Sequence, residues 1–182
     1  MTALVEGLGM SLPGTHRDLD RQGGLTGLKE MLPTALAACG LADRGLVSEP
    51  ERLVADRYGA YEQEHGVGYS EEGKTWVRSL YGAPVAVDLT FAGGEELDLG
   101  GRRLRILHAP GHSAGHIVLH DPTSGLLFSS DAVHWRMCPA ADSSCALPPT
   151  YEDVDAYLET IQLLESLTPA EVHSGHWPVR RI

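Results

Sequence analysis

Apolar residues recur at helical spacing in the stretch LTGLKEMLPTALAACG, residues 25–40. The positions that share one helical face are Leu25, Leu28, Met31 and Leu32. Pro33 predicts that this helix kinks or restarts, and Gly40 predicts its end. Residues 48–82 predict two short amphipathic helices, the first with Ser48 as its N-cap. A helical region is therefore expected in this part of the chain.

The pattern changes at Pro84, after which alternating and β-branched residues predict strands. The segments VAVDLTF, EELDLG and GRRLRILHAP follow one another, and Gly100 and Gly101 predict a hairpin between the last two. The segments HIVLHD and LLFSSD predict two further strands, joined by the turn PTSG. Together these segments predict a meander of strands.

One long amphipathic segment, PTYEDVDAYLETIQLLESLTP, comes later in the chain. Thr150 and Asp153 resemble a capping box at its start. The apolar face of this predicted helix carries Val154, Tyr157, Leu158, Ile161, Leu164 and Leu167. The last segment, AEVHSGHWPV, predicts a short strand that ends in a loop with histidine. Helices, strands and a further helix in this order predict an α+β fold with mixed layers.

Length and charge narrow the possible functions. The 182 residues are 42% hydrophobic, which predicts one globular domain over residues 1–182. The formal net charge is −11, so binding to nucleic acid is not expected. No signal peptide is expected, and no stretch approaches the roughly 18 apolar residues of a membrane-spanning helix. The 3 scattered cysteines are typical of a reducing cytoplasm.

Four clusters of potential metal ligands follow predicted strands. They lie in THRDLD, APGHSAGH, FSSDA and VHSGHW, and their candidate residues are His16, Asp18, Asp20, His112, His116, Asp131, His173 and His176. Imidazole and carboxylate are ligands that zinc, iron and manganese accept. Taken alone, His16 or His176 is more typical of a surface or capping histidine, Asp18 and Asp20 could be turn residues, and Asp131 could be a cap. Their order along one chain favours a shared site at one end of a sheet.

Four further histidines lack such a pattern. They are His65, His108, His120 and His134, and they are expected to be structural or solvated.

These motifs are similar to those of the metallo-β-lactamase fold superfamily, a hydrolase family that includes glyoxalase II and many lactonases. THRDLDRQGGL resembles its first motif, Thr-His-x-His-x-Asp-His-x-Gly-Gly, and PGHSAGH matches its second motif throughout. FSSDA resembles its Gly-Asp strand end, with Ser130 in place of Gly, and SGHW matches its terminal Gly-His. The resemblance extends to about residue 180 and implies an αββα sandwich of the metallo-β-lactamase type.

The resemblance also implies a set of metal ligands. These are His16, Asp18, Asp20, His112, Asp131 and His176. One site would hold the first two of these and His112, and a second site would hold Asp20 and His176. Asp131 would bridge the two sites, and His116 would support the loop PGHSAGH, in which it lies.

The first motif departs from the family pattern at two positions. Asp18 stands where the family has its second histidine, and a carboxylate still binds a hard or borderline cation. Arg21 stands where the family has its third histidine, and a guanidinium has no acceptor with which to bind a metal. The resemblance therefore implies one zinc ion held well and a second held poorly because of Arg21. Iron or manganese could take the place of zinc.

The start of the chain departs from the family as well. Relatives carry several strands before the first motif, whereas 14 residues precede Thr15 here. The stretch MTALVEGLGMS resembles the helix that comes before the motif's strand, and that strand is expected to be missing. The expected fold is thus a sandwich that lacks its N-terminal strands. An uncovered sheet edge would favour self-association.

The function implied by the resemblance is metal-dependent hydrolysis of a small-molecule substrate. A metal-activated hydroxide would attack an ester, thioester, lactone or related bond, and Asp20 would orient the water and handle a proton. Residues 41–82 would form a helical insertion at the position where relatives often bind substrate. The alternative is a degenerate or truncated relative that binds one metal or none. The metal content of the purified protein would separate the two.

Overall fold

The computed structural model describes residues 11–13, 15, 17–18, 22–134, 137–139, 146–147 and 150–182. The chain divides into two compact units, Met1–Thr90 and Phe91–Ile182. His16, Asp20 and Arg21, on which several predictions depend, lie outside the described residues. Within the described part, no helix is long and apolar enough to cross a membrane.

A sheet of three short strands in the order β1-β2-β3 is formed by residues of the first unit, apart from Phe91, the last residue of β3. These are β1 (Ser11–Pro13), β2 (Leu36–Gly40) and β3 (Leu89–Phe91). β1 runs parallel to β2. Since β1 ends just before Thr15, the prediction that the strand preceding the first motif is missing was wrong.

The prediction that a helix continues or restarts after Pro33 was also wrong. The helix α1 covers only Leu25–Met31, and the alanine-rich stretch that follows it is β2. Proline disfavours helical conformation in the residue before it, and Leu32 leaves the helix with φ −132° and ψ 68°. Pairing with β1 then outweighs the helix propensity of alanine, and the side chains of β2 after Leu36 become buried.

Short helical segments follow β2 in the region predicted as an insertion. They are α2 (Arg44–Ser48), α3 (Pro50–Leu53), a π-helical turn (Val54–Tyr58), α4 (Glu62–His65) and α5 (Glu71–Leu80). Ser48 ends α2, and Glu49 is the N-cap of α3, so the predicted cap is displaced by one residue. Ser70 caps α5 by accepting a hydrogen bond from the Gly73 amide at 3.1 Å. The region is helical as predicted, but it is divided into more and shorter helical segments than the two predicted helices.

Cys39 lies inside the first unit, packed with Val47 and Val87. Burial, with the nearby Asp43 carboxylate, raises the pKa of its thiol to about 12. A thiol in this environment is not a nucleophile at neutral pH.

The second unit contains a six-stranded sheet in the order β11-β10-β7-β6-β5-β4. Its strands are β4 (Glu96–Asp98), β5 (Arg103–His108), β6 (Ile117–Asp121), β7 (Leu126–Ser130), β10 (Glu171–Ser174) and β11 (Arg180–Arg181). A separate antiparallel pair is formed by β8 (Cys138–Pro139) and β9 (Ala146–Leu147). The hairpin predicted at Gly100 joins β4 to β5, and Gly100 has a φ of 80° that suits glycine.

Strand direction brings three loops to one end of this sheet. β5 and β7 are both antiparallel to β6, and β10 is parallel to β7. β5, β7 and β10 therefore all end at the same side of the sheet. The loops that carry His112, Asp131 and His176 follow these three strands, as the sequence predicts.

The helix α6 (Val154–Ser166) precedes β10 and packs Leu164 into a core with Val118, Leu127 and Val172. Its N-cap is Asp153, whose carboxylate accepts a hydrogen bond from the Ala156 amide at 2.9 Å, so the capping box with Thr150 does not form as predicted. Part of the predicted apolar face is also solvent-exposed. Val154 and Leu158 are 61% and 52% exposed.

At the opposite end of the sheet, Asp121 is buried where β6 turns into β7. Its carboxylate accepts hydrogen bonds from the Ser124 hydroxyl at 2.6 Å and from the Thr123 amide at 2.9 Å. The Arg102 Nε atom lies 3.2 Å from the same carboxylate. The Ser124 hydroxyl above all, with the turn amides and Arg102, holds the pKa of Asp121 below its usual value against the effect of burial.

We expect Asp121→Asn to lower the free energy of unfolding by about 2 kcal/mol at neutral pH, because an amide cannot accept all of these hydrogen bonds. A carboxylate whose pKa is lower in the folded state than in the unfolded state stabilises the native state at pH values above its unfolded pKa of about 3.9. That contribution is lost as the pH falls through the folded pKa. Urea unfolding at descending pH should therefore show the two proteins converging in acid, and a difference that does not change with pH would contradict this.

Candidate metal centre

The loop that carries His112 is fastened to the start of α6. The Gly111 carbonyl accepts hydrogen bonds from the amides of Glu152 at 2.7 Å and Asp153 at 3.1 Å. Gly111 has a φ of 125°, and a Cβ atom there would lie 2.5 Å from the Cα atom of Tyr157. The motif PGHSAGH thus needs glycine at this position because the helix backbone lies directly against it.

The orientation of the His112 ring is set by the chain just before α6. Its Nδ1 atom donates a hydrogen bond to the Thr150 carbonyl at 2.7 Å. Because a carbonyl only accepts, a neutral His112 ring has its lone pair on Nε2, the atom that lies 3.9 Å from Asp131 Oδ2. Metal-binding histidines typically donate their second nitrogen to a carbonyl or carboxylate in this way.

Asp131 follows β7 through a strained residue. Ser130 has a φ of 47°, a left-handed conformation that is unfavourable for residues other than glycine, asparagine and aspartate. Its carbonyl accepts a hydrogen bond from the Gly175 amide at 3.0 Å, next to a register shift between His173 and Ser174. This contact holds the loop containing His176 beside Asp131.

We expect Ser130→Gly to raise the free energy of unfolding by about 1 kcal/mol, because glycine adopts this conformation without the steric cost. The backbone hydrogen bond from Gly175 is kept. Thermal and urea unfolding of the two proteins would test this. A variant that is less stable than the parent would mean that the Ser130 side chain outweighs the backbone strain.

Three imidazole rings surround the Asp131 carboxylate. His176 Nε2 lies 3.2 Å from Oδ2, His112 Nε2 lies 3.9 Å from Oδ2, and His134 Nε2 lies 3.9 Å from Oδ1. The side chains of Asp131, His112 and His134 are 4–5% exposed, and that of His176 is 38% exposed. The centre is therefore buried on one side and open at His176.

The chemistry of these donors, and the distance of each imidazole nitrogen from Asp131 taken singly, suit pairs of ligands to a divalent cation. Two donor atoms that each lie about 2.1 Å from one ion are about 3.0–4.2 Å apart, depending on the angle between them. The separations of 3.2 and 3.9 Å fall in that range. Among the described residues, no group of three or more potential ligands is arranged as a metal site. His16 and Asp20, the other predicted ligands, lie outside those residues.

Two predicted candidates have other neighbours in the second unit. His173 donates a hydrogen bond from Nε2 to Glu171 Oε1 at 2.8 Å. His116 is buried next to His112, with the two rings perpendicular and their centroids 5.8 Å apart. The supporting role that the resemblance implies for His116 stays a prediction.

Asp18, described within the first unit, forms an ion pair with Arg57. The Arg57 Nε atom lies 3.2 Å from Oδ1, and a second guanidinium nitrogen lies 3.5 Å from Oδ2. Burial acts to lower the pKa of Arg57, but the Asp18 carboxylate outweighs it and raises the value overall. The Arg57 guanidinium faces both oxygens of Asp18 and neutralises the charge of this candidate metal ligand. The sequence did not predict this ion pair.

His134 was expected to be structural or solvated, and the structure places it against Asp131. The sequence signal that could have indicated this contact is the spacing of three residues between Asp131 and His134 in DAVH, since a turn after a strand brings such residues together. Of the other histidines without a pattern, His65 is exposed and His120 is buried in β6. Burial, with the nearby Arg105, lowers the pKa of the His120 imidazole.

The family model of the metallo-beta-lactamase superfamily matches residues 15–176. The chain therefore belongs to the metallo-beta-lactamase superfamily, as the motifs predict. It is 30% identical over 154 residues to the acyl-coenzyme A thioesterase MBLAC2 of Gallus gallus. The aligned residues cover 84% of this chain and 50% of that protein. It is 30% identical over 91 residues to a hydroxyacylglutathione hydrolase of Cereibacter sphaeroides, covering 50% of this chain and 32% of that protein. The chain spans at most about half the length of these relatives.

Solved structures confirm the fold class. A metallo-beta-lactamase family protein from Thermus thermophilus has a TM-score of 0.70 at 23% identity, covering 94% of this chain and 56% of that one. The protein TTHA1623, solved in a di-iron-bound form, has a TM-score of 0.60 at 25% identity, covering 94% of this chain and 71% of that one. The mixed α and β architecture predicted from the sequence is thus that of metallo-beta-lactamase proteins.

Proposed function

We propose that this chain is a metal-dependent hydrolase that cleaves thioesters of a small thiol cofactor. The observation that carries the proposal is the Asp131 carboxylate with three imidazole nitrogens within 3.9 Å. The names of the relatives supply the substrate class. Coenzyme A and glutathione are both thiols, and their acylated forms are thioesters. A cytoplasmic location is part of the same proposal.

The metal ligands we propose are those that the resemblance of the motifs implies, and the distances among His112, Asp131 and His176 support three of them. The proposed ligands are His16, Asp18, Asp20, His112, Asp131 and His176. A bound divalent cation lowers the pKa of a coordinated water to about 7 and polarises a carbonyl oxygen. The mixture of imidazole and carboxylate donors suits zinc, with iron and manganese as other candidates.

The roles of individual residues follow from their neighbours. Thr150 holds the His112 ring so that Nε2 faces Asp131. Asp131 holds His176 through a hydrogen bond of 3.2 Å. Asp20 is assigned from the motif alone to orient the attacking water and to accept its proton.

The second candidate function is non-catalytic metal binding by a degenerate relative. The observation that favours it is the ion pair between Asp18 and Arg57, which competes with a cation for the carboxylate. Arg21 in the first motif favours it as well. Such a protein would bind one metal or none and would not turn over thioesters.

Elemental analysis and a thioester assay would separate the two functions. Purified protein should contain metal, and it should release free thiol from acyl-coenzyme A or acylglutathione substrates. A chelator should abolish this activity, and added zinc should restore it. Metal-loaded protein that cleaves no thioester, ester or lactone would support the non-catalytic alternative. Protein that binds no metal at all would exclude the proposed function.

A further inference from the structure

Within the first unit, the described residues of the first motif contact the helical region that follows β2. Asp18 pairs with Arg57, whose guanidinium nitrogens lie 3.2 and 3.5 Å from the two carboxylate oxygens. The two side chains are 16% and 20% exposed, so water screens this ion pair only in part. A guanidinium that faces both oxygens fixes the orientation of a carboxylate as well as balancing its charge. Arg57 therefore restrains the Asp18 side chain.

Gln22, a second residue of the motif, is anchored as well. It is buried, and its side-chain amide donates a hydrogen bond to the Arg17 carbonyl. Tyr81, the C-cap residue of α5, donates a hydrogen bond from its hydroxyl to Gln22 Oε1 at 3.2 Å. Burial raises the pKa of the Tyr81 hydroxyl, so it keeps the proton that it donates. The backbone amide of Gln22 donates to the Asp18 carbonyl at 3.3 Å, which connects the two anchored residues.

Arg17 provides a third contact. It is 5% exposed, and its guanidinium lies 3.9 Å from the carboxylate of the fully buried Asp43. The motif thus contacts three places in the helical region, namely the short turn before α2, the π-helical turn and the end of α5. Arg57 lies in the π-helical turn, a feature that is frequent at functional sites.

We propose that Arg57 is a positioning residue, which holds Asp18 and with it the first motif against the helical region of residues 41–82. The inference rests on the proposed function, in which Asp18 belongs to the reacting site, and it gives the helical region a part in that reaction. In this role Arg57 acts through Asp18. A displacement of about 1 Å at a reacting group can lower the rate about a hundredfold. The loss of Arg57 should therefore appear in kcat.

A double-mutant cycle measures the contact directly. Urea unfolding of the parent, Arg57→Gln, Asp18→Asn and the double variant would be compared with a chelator present, so that no bound cation contributes. The two changes should be coupled by about tenfold in the unfolding equilibrium constant. The matched control is the ion pair of Arg52 and Asp56, at 3.1 Å, whose side chains are 54% and 51% exposed. The same substitutions there should be coupled by about twofold, as for other exposed pairs on helices.

Kinetics separate a positioning residue from a purely structural ion pair. With acyl-coenzyme A or acylglutathione as substrate, Arg57→Gln should lower kcat by at least about tenfold and leave KM within about threefold. Arg57→Lys keeps the charge but not the planar fork, so its kcat should lie between the two. Arg52→Gln should retain the parent kcat. A purely structural pair would leave kcat unchanged in every variant that circular dichroism shows to be folded.

The proposal is overturned if Arg57 and Asp18 are not coupled, or if folded Arg57→Gln keeps the parent kcat. A higher kcat would also overturn it, because Arg57 would then obstruct Asp18. A parent protein that cleaves no thioester, ester or lactone would remove the proposed function. In that case the exchange rate of the Gln22 amide, measured by NMR, decides. A rate at least about tenfold faster in Arg57→Gln than in Arg52→Gln would support the anchoring of the motif, and equal rates would overturn it.

Discussion

Replacing Asp131 with asparagine is expected to weaken zinc binding by at least about a hundredfold. Losing a residue that only supports a metal ligand typically weakens metal binding by up to about a hundredfold, and the loss of a ligand should cost at least as much. The carboxylate is nearly buried and faces three imidazole nitrogens at 3.2 to 3.9 Å. An amide keeps one oxygen but loses the negative charge that attracts the cation. Competition with a chromophoric chelator would measure the change, and thioester hydrolysis should fall with it.

The matched control for this change is Asp155→Asn, which removes an exposed carboxylate from the first turn of α6. Because both variants lose one negative charge, a general electrostatic effect would appear equally in each. Zinc affinity that stays within a factor of three of the parent in Asp131→Asn would contradict the assignment of Asp131 to the metal centre.

Replacing Gly111 with alanine is expected to lower the free energy of unfolding by about 2–4 kcal/mol. The backbone has a φ of 125°, and the new Cβ atom would lie 2.5 Å from the Tyr157 Cα atom and 2.7 Å from its nitrogen. These are backbone atoms of α6, so no side chain can rotate to relieve the clash. The loop must then move away from the helix, and His112 would lose its hydrogen bond to Thr150. Zinc affinity should therefore fall together with stability.

The control for this variant is Gly101→Ala, since a Cβ atom at Gly101 would meet no atom within 4 Å. Urea unfolding should leave Gly101→Ala within about 0.5 kcal/mol of the parent, as for most surface substitutions. If Gly111→Ala were equally mild, the loop would not depend on its close approach to α6.

The strands of the second unit were predictable because their signals are local. Alternating residues and a glycine pair specify β4, β5 and the hairpin between them, and the turn PTSG does the same for β6 and β7. Local signals failed where pairing partners decide the outcome. The stretch Leu36–Gly40 has the composition of a helix and becomes a strand because β1 lies beside it.

The candidate ligands were predictable from residue type and order, since imidazole and carboxylate after strand ends are what a metal centre needs. The placement of His176 beside Asp131 depends on the parallel pairing of β7 with β10, which brings together residues 45 positions apart. The pairing of Asp18 with Arg57 likewise joins residues 39 positions apart. The position of His134 depends on the turn after β7. The chain itself specifies which donor groups exist and in what order. Only folding decides which carboxylate each imidazole faces and which guanidinium neutralises Asp18, because these contacts join segments distant in sequence.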